Sequence, residues 1–402
     1  MPPVADLRAV AQEKTFAEFF AGVGLVREGL AGSGWRCVYA NDIDPKKRAI
    51  YEANFPDSSH FDERDIWDLD GVLDRLPQTP FLATASFPCV DLSLAGHFRG
   101  FDGKHSSTFF AFVEVLRRLA PRPPLVMIEN VVGFLTARGG RDFQTAAVML
   151  AELGYRLDAF VLNAASFTPQ SRPRVFLVGV HEDLPAPQLI TARDDAALGD
   201  PWLAALDRTA AIRPPALRAA MRRIALPTAW VATPIEPPSR RSPDLASVID
   251  VDEHQAWWSQ EEVERHYQML NDRHRERLDE LRAAGERFIG AGFRRKRNGQ
   301  TRLEVRFDRL AGCLRTPRGG SARQIVVVVE NGQLRMRWMS AVEYARLQGA
   351  DRFVMLPNER QMLFGFGDAV CVPVIAWIDR WVLTPLFETG VQMLQQKATS
   401  RK

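Results

Sequence analysis

Four side chains stand where covalent chemistry on a bound molecule is possible. The run Thr84-Ala-Ser-Phe-Pro-Cys-Val-Asp-Leu-Ser puts Cys89 on a loop just past an apolar, strand-like segment. In open α/β sheets ligands bind at the carboxyl ends of strands, and a thiol there is open to activation as thiolate. Val126-Met-Ile-Glu-Asn-Val ends the next strand-like run in an acid, so Glu129 is the candidate general acid if the two strands are neighbours. Pro169-Gln-Ser-Arg-Pro-Arg leads into a further strand, and the alternation puts Arg172 and Arg174 on one face, fit to clamp an anion or hold an acid. Cys37 and Cys371 lie inside apolar runs and read as core thiols.

A second constellation fits a nucleoside cofactor. Phe16-Ala-Glu-Phe-Phe-Ala-Gly-Val-Gly-Leu places Gly22 and Gly24 between a strand and a helix, where glycine permits a tight turn and close approach of a ligand. After the following strand comes Asn41-Asp-Ile-Asp, whose Asp42 is placed to accept ribose hydroxyls, and Asp65 after a third run could meet an adenine edge. Arg27 stands where a dinucleotide fingerprint needs its third glycine, which tilts the choice from NAD toward S-adenosylmethionine, a cofactor with no pyrophosphate.

The elements that must hold these residues are legible over 15–180. Apolar runs at Phe16–Phe20, Cys37–Ala40, Phe81–Ser86, Leu125–Glu129, Arg156–Asn163 and Arg174–Val180 predict strands. Leu25–Ala31, Lys46–Ala53, Phe109–Leu119 and Asp142–Leu153 predict helices between them. Such alternation gives an α/β, doubly wound, Rossmann-like domain. After 182, ten prolines from Pro185 to Pro243 break the series. One long helix is expected over Ser259–Ala284, opened by Ser259 and Glu262 at capping-box spacing, with Gly285 beyond its end. Ile325–Val329 reads as a strand and Ala341–Leu347 as a helix. The expected division is 1–182 catalytic, 183–315 an inserted smaller domain, and 316–402 a segment returning to the first.

Composition sets few limits. The 402 residues are 46% hydrophobic and 25% charged, as in an ordinary globular protein with a sizeable core. The net charge of +3 does not by itself imply nucleic acid. Arg294, Arg295, Lys296, Arg297, Arg302, Arg306 and Arg309 nevertheless cluster, with Glu304 and Asp308 in return, as phosphate contacts or as a solvated face. The four cysteines form no C-x-x-C pair, so no metal site is expected, and their wide spacing fits a reducing cytosol. No apolar signal core opens the chain and no apolar run of spanning length is expected, so the reading is a cytoplasmic protein without membrane contact.

The ordered motifs together resemble the DNA (cytosine-5) methyltransferases of prokaryotic type. They are Phe20-Ala-Gly-Val-Gly, Asn41-Asp-Ile-Asp, Asp65-Ile, Phe87-Pro-Cys, Glu129-Asn-Val, Gln170-x-Arg-x-Arg, Leu314-Arg-Thr-Pro-Arg, Met339-Ser-Ala-Val-Glu-Tyr-Ala-Arg-Leu-Gln-Gly and Gly367-Asp-Ala-Val. The resemblance implies that Cys89 adds to carbon 6 of cytosine, Glu129 contacts N3 and the exocyclic amine, and Arg172 and Arg174 surround the base. It implies a cofactor site of Phe20, Gly22, Gly24, Asp42, Ile43, Asp65, Ile66, Pro88, Asp368 and Val370, holding S-adenosyl-L-methionine. The insertion becomes a target-recognition domain, with Arg294, Arg295, Lys296 and Arg297 as its DNA contacts. The loop Val90–Asp102, with Gly96, Arg99 and Gly100, becomes a lid closing on DNA. The implied partner is double-stranded DNA, with the target base flipped out, and a restriction endonuclease or other defence component is a further implied partner. The implied form is a monomer at the nucleoid. An RNA-modifying branch of the family and a non-catalytic DNA-binding relative are the alternatives. The long insertion favours DNA, and intact Cys89 and Glu129 favour catalysis. Three positions depart from the usual pattern: Val90-Asp91 where Gln is commonest, Leu25 for a glycine, and Asp368 where Asn is usual.

Overall fold

The computed structural model describes residues 10–11, 13–76, 78–87, 108–192, 200–224, 229–239, 243–316 and 322–399. Pro88, Cys89 and Arg99, with the rest of the expected lid, lie outside the described residues.

The principal sheet has seven strands: β1 (Thr15–Phe19), β2 (Arg36–Asp42), β3 (Phe61–Glu63), β4 (Leu82–Ala85), β5 (Leu125–Val131), β6 (Tyr155–Asn163) and β7 (Pro173–His181). Their order is β3-β2-β1-β4-β5-β7-β6. β1 pairs in parallel with both β2 and β4, so the chain reverses its winding there. β4 and β5 are parallel neighbours, as required for their carboxyl ends to meet. β7 runs antiparallel to both β5 and β6, which brings its first residues, not its last, to the edge where the other strands end. This reversal is why an arginine pair that precedes a strand can face an acid that follows one. The central strands are largely apolar, with β4 and most of β5 buried, because helices cover both faces. Phe16, Leu82, Met127, Phe160 and Phe176 fill one face, and Phe19, Ala83, Val126, Ile128 and Leu177 the other.

The expected strands and helices of the first 182 residues occur within a residue or two of their predicted ends. Beyond residue 182 the chain divides between the two sheets. Helices Pro201–Arg208 and Pro215–Arg223 pack through Trp202, Leu206, Leu217 and Met221 on the catalytic sheet, not in a separate insert. A buried ion pair holds this stretch: Arg213 Nη2 donates to Asp158 Oδ2 of β6 at 2.6 Å.

The second sheet is formed by β10 (Phe288–Arg297), β11 (Gln300–Arg306), β12 (Gln324–Glu330) and β13 (Gln333–Trp338), while β8 (Ile190–Thr191) and β9 (Val231–Ala232) pair separately. Its order, β11-β10-β12-β13, carries the smaller unit past the expected limit at 315 to Trp338. The apolar run Ile325–Val329 explains this. Ile325, Val327 and Val329 join a small core with Val263, Leu278 and Leu281, while Val326 and Val328 face the main core. A strand buried on both faces ties two units together.

The helix expected over Ser259–Ala284 is two helices, Gln260–Tyr267 and Asp272–Ala283. Asn271 starts the second by accepting a hydrogen bond from His274 N at 2.8 Å, a side-chain cap that competes with continuing the first. The stretch Glu359–Lys397 has a mean hydropathy of 1.6 over an 18-residue window, contrary to the expectation that no run reaches that length. That window is 56% buried inside the protein, and its side chains Ile375, Ile378, Val382 and Leu383 belong to the core.

Candidate active site

A cleft of about 1520 Å³ opens at the carboxyl edge of the principal sheet. This is more than the roughly 300–1,000 Å³ of a pocket for one small ligand, so a nucleoside cofactor and a second group both fit.

One end is built on β1 and β2. Phe20 sits at φ 59 and Gly24 at φ 86, so the chain turns sharply off β1 before the helix Leu25–Leu30. A side chain at position 24 would collide with the rings of Phe55 and Tyr51, which leaves glycine as the residue that fits. A left-handed Phe is a strained residue at a ligand-facing turn. Asp42 ends β2, and its Oδ2 accepts Gly22 N at 2.8 Å while Oδ1 accepts Asp44 N at 3.0 Å. Each oxygen keeps a free lone pair for a hydroxyl. Ile43 is 65% exposed although apolar, Ile66 is buried, and Asp65 accepts from Trp67 N. All of them line the cleft, as do Phe20, Gly22, Asp368 and Val370. Gly24 is not on the lining; it shapes the turn behind it.

The other end is built on β5 and β7. Glu129 is 8% exposed, and Arg174 Nε lies 2.9 Å from its Oε1. The register sets Arg174 opposite Val131 and Phe176 opposite Glu129, so acid and base are diagonal neighbours on one face. Arg172 does something else. It is 3% exposed, and its guanidinium donates to Leu314 O at 2.9 Å and Ala369 O at 2.6 Å. It therefore clamps the returning C-terminal segment against the sheet. The same-face expectation holds through a shared contact, since Cys313 Sγ lies 3.5 Å from Arg172 Nη1 and 3.7 Å from Arg174 Nη2. Asn130 fixes the mouth by donating to Phe87 O at 3.2 Å, at the point where β4 leads toward Cys89.

The sequence reading passed over three residues of this cleft. Cys313 is one: burial pushes its thiol up, but Arg172, Arg174 and Arg315 together hold it below the ordinary range. By contrast burial pushes the Cys37 thiol up to about 12 and that of Cys371 up to about 11, as core thiols should behave. Lys47 is the second, on the helix Pro45–Asn54, 3.6 Å from Asp368 and 4.0 Å from Asp42. Glu18, the fourth residue of β1, is the third. It is 1% exposed, and burial raises its carboxyl to about 8, against the opposing pull of Arg27 and the backbone N–H groups of Val26 and Arg27. The alternation along Phe16-Ala-Glu-Phe could have signalled it, because a Glu at the position paired with Phe16 must face the interior.

Glu18 sets an expected pH dependence. Its folded carboxyl is raised from 4.5 to about 8, so between those values the native state holds a proton that the unfolded chain releases. Stability from this group therefore falls as pH rises. Half-buried His60, with His181, His266 and His274, opposes it below 6.5, because burial lowers all four and only the unfolded chain takes up their protons. Above that value the histidines drop out and Glu18 dominates, offset in part by Cys313, whose thiol is held low. Urea unfolding should show stability falling by up to about 1.4 kcal/mol per pH unit between roughly pH 6.5 and 8. Glu18→Gln should flatten the slope, and an unchanged slope in that variant would show that another group carries it.

The basic cluster sits on β10 and β11. Arg297 pairs with Glu304 at 2.9 Å and Arg295 with the same carboxylate at 3.7 Å, so Glu304 offsets part of the positive field. Arg294 stacks over Trp338 at 4.7 Å, and Lys296 is exposed.

The fold and cleft agree with what comparison finds. The family described as C-5 cytosine-specific DNA methylase matches residues 14–382, and the chain belongs to that family. It is 33% identical over 171 residues to the Type II methyltransferase M.HpaII of Haemophilus parainfluenzae, covering 42% of this chain and 46% of that protein. It is 31% identical over 170 residues to M.HhaI of Haemophilus parahaemolyticus, covering 42% of this chain and 50% of that one. The chain thus spans about half the length of the curated relatives it matches. Among solved structures, the S. pombe Dnmt2 methyltransferase superposes with a TM-score of 0.58 at 15% identity, covering 93% of this chain and 99% of that one, which is a likeness of fold.

Proposed function

We propose that this protein methylates carbon 5 of cytosine in double-stranded DNA, with S-adenosyl-L-methionine as donor and Cys89 as covalent nucleophile. The observation that carries the reading is the Glu129–Arg174 ion pair, held at 2.9 Å in the same cleft as the Gly22–Asp42 turn.

The residues present fit that cofactor. Glu18 Oε2 is buried, lines the cleft and has no hydrogen-bond partner among the described residues. An orphaned carboxyl oxygen suits a ligand that carries ammonium and sulfonium cations, whose charge would favour release of the Glu18 proton. Asp42 and Asp65 suit the hydroxyls and amine of an adenosine, and Phe20, Ile43, Ile66 and Val370 offer it apolar surface. When bound, the cofactor supplies an electrophilic methyl group.

The chain's own groups do the rest. Carbon 5 of cytosine is a poor nucleophile until the Cys89 thiolate adds to carbon 6. Glu129 holds N3 and the exocyclic amine and offsets charge as that bond forms. Arg174 keeps Glu129 aimed, and Arg172 keeps the C-terminal wall in place. Loss of the carbon 5 proton then expels Cys89. The base has to leave the helix to reach this depth, at a cost of a few kcal/mol. The sheet β10–β13 serves target recognition, with Arg294, Arg295, Lys296, Arg297 and Arg99 toward phosphates. The Type II relatives favour a companion restriction endonuclease, and we take the working form as a monomer at the nucleoid.

Duplex DNA carrying 5-fluorocytosine tests the covalent step. Fluorine cannot leave carbon 5 as a cation, so the adduct should persist in denaturant, and only when S-adenosylmethionine is present. Cys89→Ala should form no adduct yet still bind DNA. A trapped peptide mapping to Cys37, Cys313 or Cys371 would refute the assignment. Trapping on fluorocytosine RNA but not on DNA would transfer the activity to RNA.

A further inference from the structure

Asp368 is an unexpected acid, and the structure supplies its counterpart. It is the last residue of the helix Glu359–Asp368, where the negative end of the helix dipole lies. Its backbone neighbours are tied to the core: Gln348 Nε2 donates to Phe366 O at 2.8 Å and Ala369 O at 3.0 Å, and Arg172 Nη2 donates to Ala369 O. Gly367 presses against Arg315 so closely that a side chain there would meet the backbone at 2.6 Å. The side chain of Asp368 is half exposed on the cleft, facing Lys47 at 3.6 Å. Lys47 also reaches Asp42 at 4.0 Å, and Asp42 in turn holds the glycine turn through Gly22 N. Among the described residues Lys47 is the cation that pairs with either carboxylate.

We propose that Lys47 and Asp368 form a latch across the cofactor end of the cleft, and that Lys47 is thereby a positioning residue for the adenosyl cofactor. The pair joins two walls that no strand connects. One is the Gly22–Asp42 turn; the other is the C-terminal segment clamped by Arg172. An uncharged amide at 368 would need no such cation. A carboxylate does, because it stands at the negative end of its own helix and shares Lys47 with the carboxylate of Asp42. Ordinary exposed ion pairs contribute little. This one has consequences because its loss leaves two like charges opposed over a ligand. The proposal rests on the adenosyl-cofactor reading.

Calorimetric titration with S-adenosylhomocysteine tests it in wild type, Lys47→Met, Asp368→Asn and the double variant. That probe has no sulfonium and no net charge, so affinity reports position more than field. Lys47→Met should weaken binding by about three- to fivefold, in keeping with the upper range for partly exposed pairs. Asp368→Asn alone should change it by less than about twofold, because the amide keeps the shape and Lys47 still serves Asp42. The double variant should bind better than Lys47→Met, since removing the stranded carboxylate restores the wall. A residue that merely packs would not be rescued by neutralising its neighbour. Wild-type affinity in Lys47→Met, or a double variant weaker than Lys47→Met, overturns the latch. If wild type itself fails to bind the probe, the cofactor reading falls. The melting temperatures of the four proteins then still decide the latch, with Lys47→Met lowest and the double variant above it as the supporting order.

Discussion

Glu129→Gln should slow methyl transfer to DNA by about 10²–10⁴-fold, the range for removing a positioned acid or base. Binding of DNA and of cofactor should stay within a few-fold of wild type. The substitution is nearly isosteric, and the introduced amide oxygen can still accept from Arg174 Nε, which in the native protein lies 2.9 Å from Glu129 Oε1. On the proposed mechanism, what disappears is the carboxyl's charge and its capacity to carry a proton toward N3 as Cys89 adds to carbon 6. The loss belongs in kcat and in the rate of fluorocytosine adduct formation, not in KM. Arg174→Met should behave differently. It leaves Glu129, 8% exposed, without its ion pair, so binding and rate should both suffer. Single-turnover kinetics separates the two patterns. A Glu129→Gln protein that keeps more than about a tenth of the wild-type rate would remove Glu129 from the chemistry.

Some of this arrangement can be read from residue order and some cannot, for physical reasons. Strand ends are local events. Apolar runs stop at Asp, Asn or Gly, so the positions of Asp42 at the end of β2 and of Glu129 near the end of β5 are legible from order alone. The divergence of Arg172 and Arg174 is not local. Both share the face expected from alternation, but only tertiary contact puts the carbonyls of Leu314 and Ala369 over one and a carboxylate beside the other. Lys47 and Cys313 escaped notice for the same reason. A lysine on a short amphipathic helix looks solvated until a segment from 300 residues later arrives beside it. The Pro-rich stretch marks a change of character after 182 but does not indicate which later strands pair across it. Ile325–Val329 was recognised as a strand, but nothing in its composition names β10 as its partner. The break at Asn271 turned on a cap, where a single side chain outweighs a helical pattern that runs through it.

The longest of the family motifs, Met339 to Gly349, carries no group that touches the cleft's reacting end, and its purpose emerges from burial. Glu343 is 0% exposed and Arg337 of β13 is 1% exposed. Glu343 Oε2 accepts from Arg337 Nη1 and from Ser340 N, each at 2.8 Å, and Oε1 accepts from Asp250 N at 3.0 Å and from Arg337 Nη2. Arg337 Nη2 also donates to Asp250 O at 2.5 Å. One carboxylate thus fastens the last strand of the smaller sheet, the start of the helix Ala341–Leu347 and the loop at Asp250. The far end of that helix reaches the active site, because Gln170 Nε2 donates to Leu347 O at 2.9 Å and Gln170 stands two residues before Arg172. Glu343→Ala should therefore destabilise the protein by about 3–5 kcal/mol, the cost of stranding a buried guanidinium. Removing both charges together, as Arg337→Met with Glu343→Gln, should cost less than Glu343→Ala alone, because no unpaired ion remains inside. Urea unfolding of the three proteins measures this directly. A loss under about 1 kcal/mol for Glu343→Ala would mean that water reaches Arg337 and that the network is not the joint between the two sheets. The expected large loss would make the motif a mechanical one: it sets the smaller sheet at a fixed angle to the cleft, so that, on the proposed function, a duplex held by one would be presented to the other.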